Sequence, residues 1–181
     1  MWNLLTVIFV VLLLVVPFLF NEFFGFEYER FGLLPRSSEN WYHIAFAPFI
    51  HGSAGHLVNN CMALMAFGLL TIVRSRALFW WSSIVIVLLG GAMVWLVGRD
   101  SYHIGASGWI YGLWALTMGI AWYDRKLKNI VLGLAVLVLY GGMSWGLLPL
   151  DPSVSFEMHV AGAITGVLCA YVYTRFRSTV A

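Results

Sequence analysis

The chain has 181 residues, of which 61% are hydrophobic and only 10% charged, and its formal net charge is +2; the mean hydropathy is +0.87. Soluble domains are roughly half apolar and a quarter charged, so this balance excludes a water-soluble enzyme or a nucleic-acid-binding module and leaves an integral membrane protein. About 20 apolar residues cross a bilayer once, which allows about six spans in a single domain over residues 1–181 and no separate soluble domain.

Apolar runs occupy about 2–20, 57–73, 77–98, 107–123, 129–148 and 158–174. Each is too unbroken for the alternating strands of a barrel, and a spanning backbone must satisfy its own hydrogen bonds, so the expected fold is all-α, a polytopic bundle of six transmembrane helices. The first run lacks a basic leading region and a small-residue cleavage site, so it reads as a retained helix, with Pro17 the place for a kink. The segment after it carries Phe23, Phe24, Phe26, Tyr28, Phe31, Trp41 and Tyr42, rings that suit the headgroup interface. Cys61 and Cys169 fall inside runs and read as small packing residues.

Charge gives the bundle a direction. Arg74, Arg76, Arg125, Lys126, Lys128, Arg175 and Arg177 flank one set of helix ends with a single acid, Asp124. The opposite ends carry Arg30, Arg36 and Arg99 among Glu22, Glu27, Glu29, Glu39, Asp100, Asp151 and Glu157. The positive-inside rule makes the basic side cytoplasmic and puts both termini there. With no targeting sequence in view, the expected location is a bacterial inner membrane.

All five histidines, His43, His51, His56, His103 and His159, belong to the opposite, outer side. Ser107 opens the fourth helix, His159 the sixth, and His56 with Asn60 the second, so three polar clusters share one membrane depth. Polar groups inside a span by default face the bundle interior or a water-filled cavity. His56 and Asn60 lie four residues apart on one face, as do Ser107 and Tyr111, and His159, Gly162 and Gly166 follow i, i+3, i+7. Glycines at 108 and 112 on the fourth helix, facing those on the sixth, let two backbones approach closely enough for a Ser to His hydrogen bond. The chemistry this pattern suits is acyl transfer. Ser107 is the nucleophile and His159 its base, with Asn60, His56 and the backbone N–H groups around Ser107, from Gly105 onward, as donors to the oxyanion.

Three strings carry a resemblance to the rhomboid family of intramembrane serine proteases. They are His51-Gly-Ser-Ala-Gly-His56-Leu-Val-Asn59-Asn60, Gly105-Ala106-Ser107-Gly108 with Tyr111, and His159-Val-Ala-Gly162-Ala-Ile-Thr-Gly166. The resemblance runs from about residue 41 to the C-terminus and is to the compact six-helix bacterial form. It implies Ser107 as nucleophile, His159 as base, Asn60 and His56 as oxyanion partners, and Tyr111 packed on the His159 ring. It further implies transmembrane protein substrates cut near the outer face, membrane lipid as the surroundings, and no metal or organic cofactor. Many members carry Trp-Arg in the first long loop, whereas this chain has Trp41-Tyr42-His43, which leaves the anchoring of that loop open.

Plainer readings compete. Ser107 alone could be a packing serine bonded to its own helix, but His159 and Asn60 at the same depth argue against that. His103 with Asp100 offers a rival base and acid, read here as solvated, mobile loop residues. His51 reads as a structural residue bonding within the first loop, Asn59 as facing away from Asn60's partners, and Glu157 as a favourable charge in the first turn of its helix. The chain lacks H-E-x-x-H, which argues against zinc proteolysis. A transporter would need ionisable residues deep in several spans. A helix-binding relative without catalysis would lack the serine or the histidine.

Overall fold

The computed structural model describes residues 2–177; residues 1 and 178–181, and the side chain of Arg177, lie outside that description. Six long helices follow the six apolar runs: α1 (Trp2–Phe24), α2 (Ala54–Arg74), α3 (Arg76–Val97), α4 (Ser107–Asp124), α5 (Leu127–Leu147) and α6 (Phe156–Arg177). α1 remains helical through Pro17. α2 starts three residues before its apolar run because Ser53 caps it, accepting the His56 N–H at 3.1 Å. α3 opens into a π turn over Ile86–Gly90, and α5 tightens into a 3-10 turn over Gly141–Leu147.

Five of these helices are long and apolar enough to cross a bilayer, and the exception is α4. It has 18 residues rich in Gly, Trp and Tyr, and most of them are buried. A helix enclosed by protein has no lipid to face, so its composition is free of the hydropathy that the outer spans require. α4 is the central post of the bundle, contacting α2, α3, α5 and, most extensively, α6. Phe67, Phe79, Leu64, Ile86, Leu113 and Leu116 form the centre of the core around it.

The close approach of α4 and α6 has a steric basis. A Cβ on Gly162 would overlap the Gly108 carbonyl, and one on Gly166 would overlap the Gly112 carbonyl. Further along, a Cβ on Gly119 would come within 2.6 Å of the Ala170 methyl. Small residues at these positions let the backbones meet directly, the usual way for helices to gain packing in lipid.

The first loop is anchored without an arginine beside Trp41. His43 is buried and its Nδ1–H donates to the Gly32 carbonyl at 3.1 Å. Arg36, in the left-handed region at φ 61°, donates to the Gly98 carbonyl at 2.7 Å and pairs with Asp100. Leu33 and His103 exchange backbone hydrogen bonds of 2.9 and 2.8 Å, and the Gly105 N–H donates to the Ala47 carbonyl at 2.9 Å, which corrects the expectation that this N–H is an oxyanion donor. Two loops distant in sequence are thus clasped together immediately before Ser107.

The clasp corrects the reading of His103 as a solvated loop residue. Its side chain is buried, with Nε2 facing the Arg99 carbonyl at 3.1 Å and Nδ1 facing Ser155 Oγ at 2.5 Å. Loss of water holds its pKa below the usual histidine range. Donation from Nε2 leaves Nδ1 to accept the Ser155 hydroxyl proton, and Ser155 Oγ in turn accepts the Met158 N–H at 3.3 Å. His103 therefore secures the start of α6, while Asp100, bound to Arg36 on the surface, is no partner to it.

Candidate active site

Ser107 stands at the first position of α4 and His159 in the first turn of α6, and the glycine-mediated approach of those helices brings them together. His159 Nε2 lies 2.8 Å from Ser107 Oγ, within hydrogen-bonding range. The other ring nitrogen, Nδ1, lies 2.8 Å from the Gly146 carbonyl oxygen. A carbonyl only accepts, so Nδ1 carries the proton and Nε2 presents a lone pair to the serine hydroxyl. Tyr111 stacks on the imidazole with ring centroids 4.0 Å apart and planes 9° from parallel. Its hydroxyl donates to the Met143 carbonyl at 2.8 Å, so the ring that holds the histidine is itself held.

The second cluster converges on Gly105. This residue has φ +99°, backbone that side-chain-bearing residues rarely adopt. A Cβ there would lie 2.5 Å from His56 Nε2 and 3.3 Å from Asn60 Nδ2. Ring and amide therefore both meet the main chain two residues before Ser107, and this contact is closed to any larger residue. Asn60 is buried, whereas Asn59 is exposed one step round the helix, as its spacing suggested.

His51 does more than brace its own loop. Its Nε2 accepts from Asn60 Nδ2 at 3.0 Å, and its backbone is clamped by Tyr28, whose hydroxyl donates to the His51 carbonyl at 2.6 Å and accepts its N–H at 3.0 Å. Burial, and secondarily the neighbouring His56, lower the His51 pKa to about 4. The ring is thus neutral at physiological pH and remains an acceptor. One amide hydrogen of Asn60 is engaged in this bond, which fixes the orientation of the amide.

The orienting carbonyl of Gly146 was not foreseen from the sequence. A backbone acceptor has no residue-type signature, and the only trace is the glycine itself: a Cβ at 146 would overlap the Tyr111 hydroxyl. Arg99 and Glu157 form another contact that the sequence does not announce. They pair at 3.3 Å, and Arg99 also donates to the Val154 carbonyl. Glu157 remains in the first turn of α6, so the dipole reading stands beside the ion pair. Ser107, His159 and His56 line a cavity of about 610 Å³, together with Val154 and Tyr102.

The model of the Rhomboid domain matches residues 38–176. An uncharacterized protein of Mycobacterium tuberculosis is 33% identical over 176 residues, covering 92% of this chain and 73% of that protein. An uncharacterized protein of Mycobacterium leprae is 34% identical over 138 residues, covering 71% and 55%. Rhomboid-like protein 11, chloroplastic, of Arabidopsis thaliana is 29% identical over 158 residues, covering 76% and 54%. With the domain matched over most of its length and an all-helical membrane bundle as its fold, the chain belongs to the rhomboid family.

Proposed function

We propose that, within the intramembrane protease activity its family implies, this chain is a serine endopeptidase that cuts membrane-spanning proteins with a Ser107 and His159 dyad. The observation that carries this reading is the chain of contacts from Gly146 carbonyl to imidazole to Ser107 hydroxyl, each link 2.8 Å. Ser107 Oγ attacks the scissile carbonyl carbon as Nε2 takes the hydroxyl proton. The oxyanion is met by the second Asn60 amide hydrogen, a His56 ring N–H and the unpaired backbone N–H groups that open α4. On collapse the C–N bond breaks, the amine leaves with the proton held on Nε2, and an acyl-serine remains. Water then attacks that ester, again giving its proton to His159, and the serine is restored.

A main-chain carbonyl takes the place that a carboxylate fills in a triad. It fixes the tautomer but adds no full negative charge to stabilise the imidazolium. Stacking on Tyr111 supplies rigidity and an electron-rich ring face. Gly108, Gly162 and Gly166 support the site by setting the helix distance, and His51 by orienting Asn60.

Placement of the basic helix ends in the cytoplasm is part of the same proposal, since seven of the ten basic residues lie there. Both termini are then cytoplasmic and the cavity opens outward. The multi-pass bundle, with mycobacterial proteins among its relatives, supports a bacterial cell membrane.

A fluorophosphonate probe applied to purified protein in detergent, together with a generic transmembrane substrate, tests the dyad. Wild type is expected to be labelled and to cleave, and Ser107→Ala to do neither. Equal labelling of the two proteins would overturn the assignment.

A further inference from the structure

Away from the dyad, α2 and α5 are tied together at their basic ends. Arg74 donates to Asn129 Oδ1 at 2.5 Å, and Asn129 Nδ2 donates to Asp124 at 2.6 Å. Beside this tie the two helices leave a trough of about 490 Å³ with Leu69, Leu70, Val73 and Leu132 on its walls and Arg74 and Lys128 at its basic end. Val73 is 71% exposed, so the trough opens sideways to the hydrocarbon of the bilayer.

We infer that this trough binds an anionic glycerophospholipid, with one acyl chain along the apolar walls and the headgroup phosphate between Arg74 and Lys128. Three observations favour that occupant. The walls lie at membrane depth, where an acyl chain is the filling at hand and water is excluded. The two cations stand at one end only, where a phosphate at the membrane surface would sit. The Asp124 carboxylate, which could attract a zwitterionic headgroup's ammonium, is already bound by Asn129 and paired with Lys126, 3.1 Å away. Lys128 is exposed and makes no ion pair among the described residues, so its charge is available.

This inference is independent of the proposed chemistry. Its test uses delipidated protein in detergent micelles, offered equimolar phosphatidylglycerol and phosphatidylcholine of identical chains and examined by native mass spectrometry. Wild type is expected to retain phosphatidylglycerol preferentially. Lys128→Gln, an exposed change that leaves the Arg74–Asn129 tie intact, should lower that preference about five-fold, the effect of one cation near a membrane surface, and Lys128→Arg should restore it. Ala66→Phe, which fills the trough without altering charge, should reduce retention of both lipids. Equal retention of the two lipids by wild type, or an unchanged preference in Lys128→Gln, would overturn the site. Displacement of the lipid by an equal concentration of glycerol 3-phosphate would show a surface anion site and overturn the role of the trough.

Discussion

The Gly146 carbonyl oxygen and His159 Nδ1 lie 2.8 Å apart, so the tautomer of the imidazole depends on a backbone group at the 3-10 end of α5. Gly146→Ala should therefore impair cleavage although residue 146 carries no functional side chain. The added methyl would meet the Tyr111 hydroxyl and come within 3.2 Å of Nδ1. Displacing a base by about 1 Å costs about 10²-fold in rate. Turnover and fluorophosphonate labelling rate, measured on protein that still elutes as a single species in detergent, check this. Wild-type turnover in Gly146→Ala would remove the carbonyl from the mechanism.

Asn60→Ala is expected to slow cleavage by about 10²–10³-fold, the usual effect of losing one oxyanion donor, while Ser107→Ala abolishes it. His51→Ala should lie between wild type and Asn60→Ala, because it removes the acceptor that orients the amide and leaves the donor itself. The readout is kcat on one transmembrane substrate for the three proteins. A His51→Ala enzyme slower than Asn60→Ala would contradict an action through Asn60 alone.

Gly162→Ala tests the contact between α4 and α6. Even one methyl overlaps the Gly108 carbonyl, and overpacking of this kind costs about 1–3 kcal/mol. A lower thermal midpoint in detergent is expected together with reduced cleavage, because the same separation sets the distance from Ser107 to His159. Gly55→Ala, where a Cβ meets open space, is the control and should leave both unchanged.

Stability should fall on mild acidification. His51 has a folded pKa of about 4 against 6.5 for the free side chain, so between those values the unfolded chain binds more protons than the folded one. Folding stability is then highest above pH 6.5, declines as pH falls through this window and stops declining from this source below about 4. The lowered pKa of His103 acts in the same direction. Thermal midpoints from pH 8 to 4 should show the decline, and His51→Asn should make it shallower. An unchanged slope in His51→Asn would assign the decline to other groups.

Much of this arrangement was legible in the chain because membrane helices encode themselves in long apolar runs, and because helical spacing alone puts Asn60 over His56 and Gly166 in line with Gly162. The contacts between loops were not legible. His103 sits among loop residues and reads as solvated, yet it is buried because Leu33 pairs with its backbone and Ser155 closes over its ring. Such pairings involve residues some fifty to seventy positions apart with no periodicity to announce them. The Gly146 acceptor was hidden for another reason: every residue has a carbonyl, and only the fold selects one. α4 shows the converse, since its lower apolarity understates its place in the membrane until its neighbours are known.

The π turn in α3 bears on how this chain tolerates changes in length. A π turn carries one residue more than the α-helical turn it interrupts, while Gly90 packs against the Ala161–Gly162 backbone and Ile86 against Gly112. Leu88 and Leu89, within the bulge, are 48% and 42% exposed. Deleting either would let the turn relax to ordinary α-helix with both flanking faces still in register. The same deletion two turns earlier, at Phe79, would rotate the following core residues by about 100°. One span of this bundle thus holds a spare residue, placed where its loss leaves the core in position.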